Sequence, residues 1–183
     1  MRKGHLLVWG LVGAYLLFQA WPQMAQISGA GLDLGDPIPV AIYSPLDGRA
    51  IDTRALRDDI VVVNFWATWC GPCAKELPML EEIARQYRQK GVQLLAMNAD
   101  QKGQDTVREY VKRKGLSLPV IQADRFLMSE YGGIKVYPTT LIFDGKRGLV
   151  NIYRGLVEEQ QLKDQLDQLF IQRSLSEIEI AQY

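Results

Sequence analysis

The chain has 183 residues, with 21 Lys plus Arg balanced by 21 Asp plus Glu. That length accommodates one domain of roughly 150 residues and an appendage. The even balance of charge argues against nucleic acid, an acidic ligand or a polybasic membrane patch as the partner.

In chain order, residues 1–21 differ in kind from the rest. Arg2 and Lys3 precede an apolar segment from Leu6 to Trp21 that is broken only by small residues and Gln19. About 16 residues is short for a membrane span of about 20, which points to an export signal, while Trp9 and Trp21 suit an interface belt. A cleavable signal needs small residues one and three positions before the cut. Phe18-Gln19-Ala20 and Gln23-Met24-Ala25 both fail at the third position, and Ser28-Gly29-Ala30 lies far downstream. The expectation is an uncleaved signal anchor with the domain outside the cytoplasm, a cleaved and secreted form being the alternative. Either way the cysteines face a compartment where disulfides persist. Residues 22–36, rich in Gly, Gln and Ala, read as a tether with a mean reach of roughly 20 Å.

From residue 37 the pattern alternates between strand and helix, and the domain is expected to run to 172 with a polar tail at 173–183. Pro39 to Tyr43 predicts a strand, Ser44 to Gly48 a turn, and Thr53 to Arg57 a short helix capped by Asp52 or Thr53. Ile60 to Trp66 (IVVVNFW) is a β-branched apolar run, the mark of a central strand buried on both faces. Cys73 to Lys90 is helical, with Leu77, Leu80, Ile83, Ala84 and Tyr87 on one stripe, a kink expected at Pro78 and a stop at Gly91. Val92 to Asn98 is a second buried strand, followed by a helix at Gln104 to Lys114, a short strand at Leu118 to Gln122 and a short helix at Asp124 to Tyr131. Thr139 to Phe143 and Leu149 to Tyr153 form a hairpin across Asp144-Gly145-Lys146-Arg147-Gly148. Glu158 to Phe170 closes the domain as a helix, and the last dozen residues either fray or extend it. The expected class is α/β, a mixed central sheet covered by helices on both faces.

Trp69-Cys70-Gly71-Pro72-Cys73 holds the only two cysteines, at the junction of a buried strand and a helix. Closing so small a loop stabilises a fold by only about 2 kcal/mol, so the pair is better suited to switching than to bracing. Disulfide exchange needs one exposed thiolate of lowered pKa. At a helix N-terminus Cys70 gains up to about 2 kcal/mol from unpaired amides and the helix dipole, equivalent to roughly 1.5 pKa units. Cys73, one turn on and facing inward, is placed to attack a mixed disulfide on Cys70. Pro72 presets the first helical turn, and Gly71 leaves room for a substrate chain. Trp66 reads as core, and Trp69 as a shield for the disulfide and an apolar contact to substrate.

The segment Val61 to Pro78 (VVVNFWATWCGPCAKELP) resembles the active-site segment of the thioredoxin superfamily, specifically its exported, membrane-tethered TlpA/ResA/DsbE-type thiol-disulfide oxidoreductases. The resemblance spans about Gly35 to Phe170, including the inserted helix and strand at Gln104 to Gln122. It extends to Tyr137-Pro138-Thr139-Thr140, which is similar to the family's cis-proline segment. It implies a thioredoxin fold with an N-terminal β extension, Cys70 as nucleophile, Cys73 as resolving thiol and Pro138 as a cis-proline facing them. Tyr137 would then line the substrate groove and offer its backbone to an incoming peptide. Glu76 matches the acid of the family's Cys-x-x-Cys-x-x-Glu-x-Pro pattern, placed to exchange a proton with Cys73 through a water, its pKa raised if partly buried. Asn64 stands where cytoplasmic thioredoxins carry a buried aspartate, and an amide takes no proton at neutral pH.

The resemblance further implies exported protein thiols or disulfides as partners, apocytochrome c among them, and a membrane electron donor of DsbD/CcdA type. The redox-active Cys70–Cys73 disulfide is the only cofactor expected. A zinc site is disfavoured, because His5 is the only histidine and there is no third cysteine. A peroxiredoxin-type peroxidase wants Thr or Ser where Ala67 stands. A tethered binding or chaperone domain on the same scaffold would not need both cysteines and Pro138.

Overall fold

A computed structural model describes residues 31–180 except Lys102. The expected anchor at 1–21 and the tether up to residue 30 lie outside the described residues. A two-stranded antiparallel pair comes first, β1 (Ile42–Tyr43) with β2 (Ile51–Asp52). A 3-10 turn, Thr53–Leu56, follows it, capped by the Asp52 carboxylate on the Arg54 amide. The expected strand at Pro39–Tyr43 is thus cut to its last two residues.

The main sheet has five strands in the order β5-β4-β3-β6-β7. They are β3 (Ile60–Trp66), β4 (Val92–Asn98), β5 (Val120–Gln122), β6 (Thr139–Asp144) and β7 (Gly148–Arg154). The pairs β3–β4 and β4–β5 are parallel, while β3–β6 and β6–β7 are antiparallel, which makes the sheet mixed as expected. All seven residues of β3 are buried, since it is central in the sheet and covered on both faces. On one face Val62, Trp66 and Ile142 pack against Leu77, Leu80, Ile83, Val107, Leu162 and Leu166. On the other, Val61, Val63, Phe65 and Phe143 meet Tyr43, Met97, Tyr131 and Leu149. The Tyr43 and Tyr131 hydroxyls share a buried hydrogen bond of 2.9 Å that ties β1 to this second layer.

Four helices complete the fold: α1 (Gly71–Tyr87), α2 (Gln104–Lys114), α3 (Arg125–Glu130) and α4 (Glu159–Ile180). Helix α1 starts with Cys70 as its cap and continues through Pro78. After a 3-10 turn the chain reverses at Gly91, whose φ of 83° suits a residue without Cβ. The 35–36 segment joins the outer strand, with Gly35 N–H donating to Leu149 O and Leu149 N–H to Asp36 O. Gly148 must be glycine here, because a Cβ would collide with the Gly35 carbonyl.

Of the two fates considered for the last residues, extension of the final helix is the one adopted, so residues 173–180 are helical. The cause is a clamp. Asp144, 0% exposed, accepts from Arg173 Nε and Nη2 at 3.2 and 3.0 Å, from Arg147, and from the Lys146 amide. Arg173 also donates to the Asp58 and Asp59 carbonyls. The end of α4 is thereby fastened to the start of β3. Burial alone would push the Asp144 carboxyl up, but the bonds from Arg173, the Lys146 amide and Arg147 outweigh it and hold it below the usual carboxylate range.

A group whose pKa is depressed by folding adds stability above its unfolded pKa, and that stability is lost as pH falls through the folded value. Arg173→Ala should therefore destabilise the domain at neutral pH by about 2 to 4 kcal/mol in urea melts, since it leaves a buried charge half-compensated. The same variant should lose the part of the acid dependence of stability, below about pH 4, that this clamp supplies. An unchanged melt at both pH values would contradict the clamp.

Candidate active site

The site lies where β3 ends and α1 begins. Cys70 has extended dihedrals (φ −86°, ψ 106°) and caps α1, with the Cys73 amide donating to Cys70 Sγ at 3.2 Å. Upstream, Cys70 N–H closes a turn onto Ala67 O. The two cysteines form a disulfide, with an S–S distance of 2.05 Å. A sulfur in this place meets the partial positive charge of a helix N-terminus, which favours a thiolate once the bond is reduced.

One expectation needs correction. Disulfide exchange calls for an exposed Cys70, yet in the disulfide form Cys70 is only 6% exposed and Cys73 is fully buried. Bonding to the inward-facing Cys73 draws the Cys70 sulfur against the helix start. The exposed surface beside it belongs to Gly71, Pro72 and Trp69, the last 65% exposed. Nothing within 4 Å would meet a Cβ built at Gly71, so a substrate chain has open access there. Trp66, by contrast, is entirely core.

The register Phe65↔Thr139 brings the start of β6 alongside the end of β3. This carries Tyr137 and Pro138 to the dithiol end of the sheet. The Tyr137–Pro138 bond is cis, and Pro138 is buried. The Tyr137 ring meets Trp69 edge-on at 5.7 Å, and its hydroxyl donates to Met128 Sδ at 3.3 Å. Tyr137 and Trp69 thus form one aromatic rim beside the disulfide.

Glu76, one turn beyond Cys73, is more buried than its sequence position alone indicates, at 1% exposed. Its Oε1 accepts from the Val157 amide at 3.0 Å and its Oε2 from Asn64 Nδ2 at 2.8 Å. Asn64 Nδ2 also donates to Thr140 Oγ1 at 2.9 Å, whereas Asn64 Oδ1 is buried without a partner. The Glu76 carboxyl is pushed above the ordinary glutamate range by burial, which the bonds from Val157 and Asn64 only partly offset. A carboxyl shifted in this direction is suited to accepting a proton from a neighbouring thiol and returning it.

Two supporting groups escaped the sequence reading. Val157, in the loop before α4, contributes only its amide, and a backbone donor leaves no trace in residue type. Asp100, just beyond β4, is 2% exposed and accepts from Thr68 N at 2.8 Å and Thr68 Oγ1 at 2.9 Å. Asn98 Nδ2 donates to the same carboxylate at 2.8 Å. An acidic residue two positions after a buried strand is the only signal available in the sequence. Among the described residues no cluster of three or more His, Cys, Asp or Glu side chains is arranged to hold a metal.

Similarity to known proteins agrees with this geometry. Residues 33–169 match the Redoxin family. The thiol-disulfide oxidoreductase ResA of Halalkalibacterium halodurans is 32% identical over 123 residues, covering 67% of this chain and 69% of the relative. ResA of Bacillus thuringiensis subsp. konkukian is 29% identical over 165 residues, covering 90% and 91%. Among solved structures, StoA from Bacillus subtilis superposes with a TM-score of 0.61 at 26% identity, covering 69% of this chain and 96% of that one. A thiol:disulfide interchange protein of the thioredoxin family from Chlorobium tepidum superposes with a TM-score of 0.64 at 24% identity, covering 73% and 94%, and supports the fold. A dithiol at a helix start, on a sheet shared with these proteins, leads to one assignment: the chain belongs to the Redoxin family and is a ResA-like thiol-disulfide oxidoreductase of thioredoxin fold.

Proposed function

We propose that the protein is a reductase of exported protein disulfides, held at the outer face of a bacterial cytoplasmic membrane by residues 1–21. The observation that carries the reading is the Cys70–Cys73 disulfide at the start of α1 with the buried carboxyl of Glu76 one turn behind it. The Gly-Pro dipeptide between the cysteines supports the direction. It is the dipeptide of reducing thioredoxin, at about −270 mV, while strong oxidants of this kind lie near about −120 mV. The substrates proposed are exported proteins with a disulfide to be opened, the haem-site cysteines of apocytochrome c among them. The proposed electron source is a membrane dithiol donor of DsbD/CcdA type.

In the reduced protein the Cys70 thiolate attacks a client disulfide. A Cys70–client bond forms, and the other client sulfur leaves as thiolate. Cys73 then gives its proton to Glu76 and attacks Cys70 Sγ. The mixed disulfide breaks, the second client thiolate leaves, and Cys70–Cys73 is restored. Two electrons pass to the client, and the proton on Glu76 goes to solvent or to the departing thiolate. The client strand lies over Gly71 and Pro72, pairs with the Tyr137 backbone beside Pro138, and buries apolar side chains against Trp69 and Tyr137.

Cys70→Ser should abolish exchange, while Cys73→Ser should accumulate the client as a mixed disulfide on Cys70, visible on non-reducing gels. Alkylation trapping in intact cells tests the direction. Mostly reduced Cys70 and Cys73 fit the reductase, and a standing disulfide would overturn it in favour of an oxidase.

Glu76→Gln should slow resolution of the mixed disulfide at neutral pH about a hundredfold, with recovery at alkaline pH as Cys73 ionises unaided. The same variant leaves the Val157 amide or Asn64 Nδ2 without an acceptor and should lose about 1 to 3 kcal/mol of stability, a loss that shrinks as pH rises. The folded pKa of Glu76 is raised, so its favourable contribution exists below the unfolded value of about 4.5 and is lost as pH rises through the folded one. Urea melts of Glu76→Gln at pH 5 and pH 8 should show the variant gaining on the wild type as pH rises. An unchanged resolution rate would remove Glu76 from the proton path.

A further inference from the structure

We infer that Asp100 is the positioning residue for the nucleophilic sulfur: it holds Cys70 at the helix cap by clamping Thr68, and it acts through hydrogen bonds instead of through its charge. The inference rests on Cys70 being the attacking sulfur.

Three observations converge on it. The segment from Trp66 to Cys70 leaves the sheet, turns once and delivers Cys70 to the cap. Its ends are fixed by backbone bonds, Ala99 N–H to Trp66 O at 2.8 Å and Cys70 N–H to Ala67 O at 3.1 Å. Its middle residue, Thr68, is fixed by Asp100, whose Oδ2 accepts the Thr68 amide and whose Oδ1 accepts the Thr68 hydroxyl.

Asp100 is itself immobilised. Its amide donates to Asn98 Oδ1 at 3.1 Å, Asn98 Nδ2 donates to its Oδ2, and its carbonyl accepts from Gln122 Nε2 at 2.5 Å. The carboxylate is therefore a rigid post anchored to β4 and β5, standing under the strand-to-helix turn. Helix-terminal stabilisation of an anion falls off within one turn. The gain at Cys70 therefore depends on the sulfur staying within reach of the Cys73 amide, 3.2 Å away. A Thr68 free to swing would let Cys70 leave the cap dihedrals and take the thiolate out of that field.

The bonding pattern separates position from charge. Oδ2 serves two N–H donors, and Oδ1 serves one hydroxyl. An asparagine at 100 can place its oxygen on the two N–H groups and its NH2 on Thr68 Oγ1, because a hydroxyl accepts as well as donates. Asp100→Asn thus keeps all three contacts and removes only the charge, whereas Asp100→Ala removes all of them.

The test is the thiol–disulfide equilibrium of the purified protein with glutathione, together with the rate at which iodoacetamide alkylates Cys70 in the reduced protein. Asp100→Ala should destabilise the reduced form and move the equilibrium about tenfold toward the disulfide, equivalent to about 30 mV. It should also slow alkylation about tenfold at neutral pH, the thiolate fraction having fallen. Asp100→Asn should restore both to within about twofold of wild type. Should Asp100→Ala fail to fold, Thr68→Val, which deletes only the hydroxyl bond, should move both readouts in the same direction by a smaller factor.

A wild type that equilibrates with glutathione, matched by an Asp100→Ala (or Thr68→Val) that alters only its melting temperature, would overturn the assignment of Asp100 alone. An Asp100→Asn shift as large as that of Asp100→Ala would overturn the claim that position, not charge, is at work. A wild type that does not exchange with glutathione at all would overturn the reading of the dithiol and this inference with it.

Discussion

The carboxyl of Glu76, inserted between helix, strand and loop, is the contact on which the reactive end of the molecule depends. One oxygen holds Asn64 at the middle of β3 and the other holds the Val157 amide just before α4. Both oxygens are committed to neutral donors, and the side chain is only 1% exposed. A charged carboxylate in such surroundings is costly, and its pKa is raised as a result. The residue that locks α1 onto the sheet is therefore also one that takes up a proton more readily than an ordinary glutamate. Structure and proton transfer draw on the same burial.

Asp144 shows the opposite solution to the same problem. It too is a carboxylate with essentially no exposure, at the far end of β3 and β6, but it is met by two guanidinium groups and stays below the usual carboxylate range. Arginine at that end produces a permanent anion, suited to holding α4 against the start of β3. Amides at the Glu76 end produce a carboxyl that can change state. The difference in partners, not in burial, divides the sheet into a fixed end and a reactive end. Asp100 adds a third arrangement, a carboxylate spent on holding the approach to Cys70.

Much of this was legible from residue patterns. Ile60 to Trp66 and Val92 to Asn98 are β-branched or apolar runs long enough to identify buried strands, and their bounds match those of β3 and β4. The dithiol site was legible because its residues cluster in one short segment and the proline segment at 137–140 is distinctive. What escaped notice depends on tertiary contact. The strand at Pro39–Tyr43 shrinks because β2, its only partner among the described residues, is two residues long. Helix α4 continues to Ile180 because Arg173 finds a buried anion about thirty residues earlier in the chain, a pairing that periodicity does not encode. Cys70 is covered because its sulfur is bonded to the inward-facing Cys73, a packing that residue spacing does not show. Asp100 and the Val157 amide matter only through residues distant in the chain.

The most direct test of the buried carboxyl's role is an NMR titration of the Glu76 side-chain carbon in the oxidised and the reduced protein. The prediction is a midpoint above the ordinary glutamate range in the disulfide form and a different midpoint once Cys73 carries a thiol, since a proton shared between two groups couples their titrations. A Glu76 midpoint at the ordinary glutamate value, identical in both redox states, would contradict it.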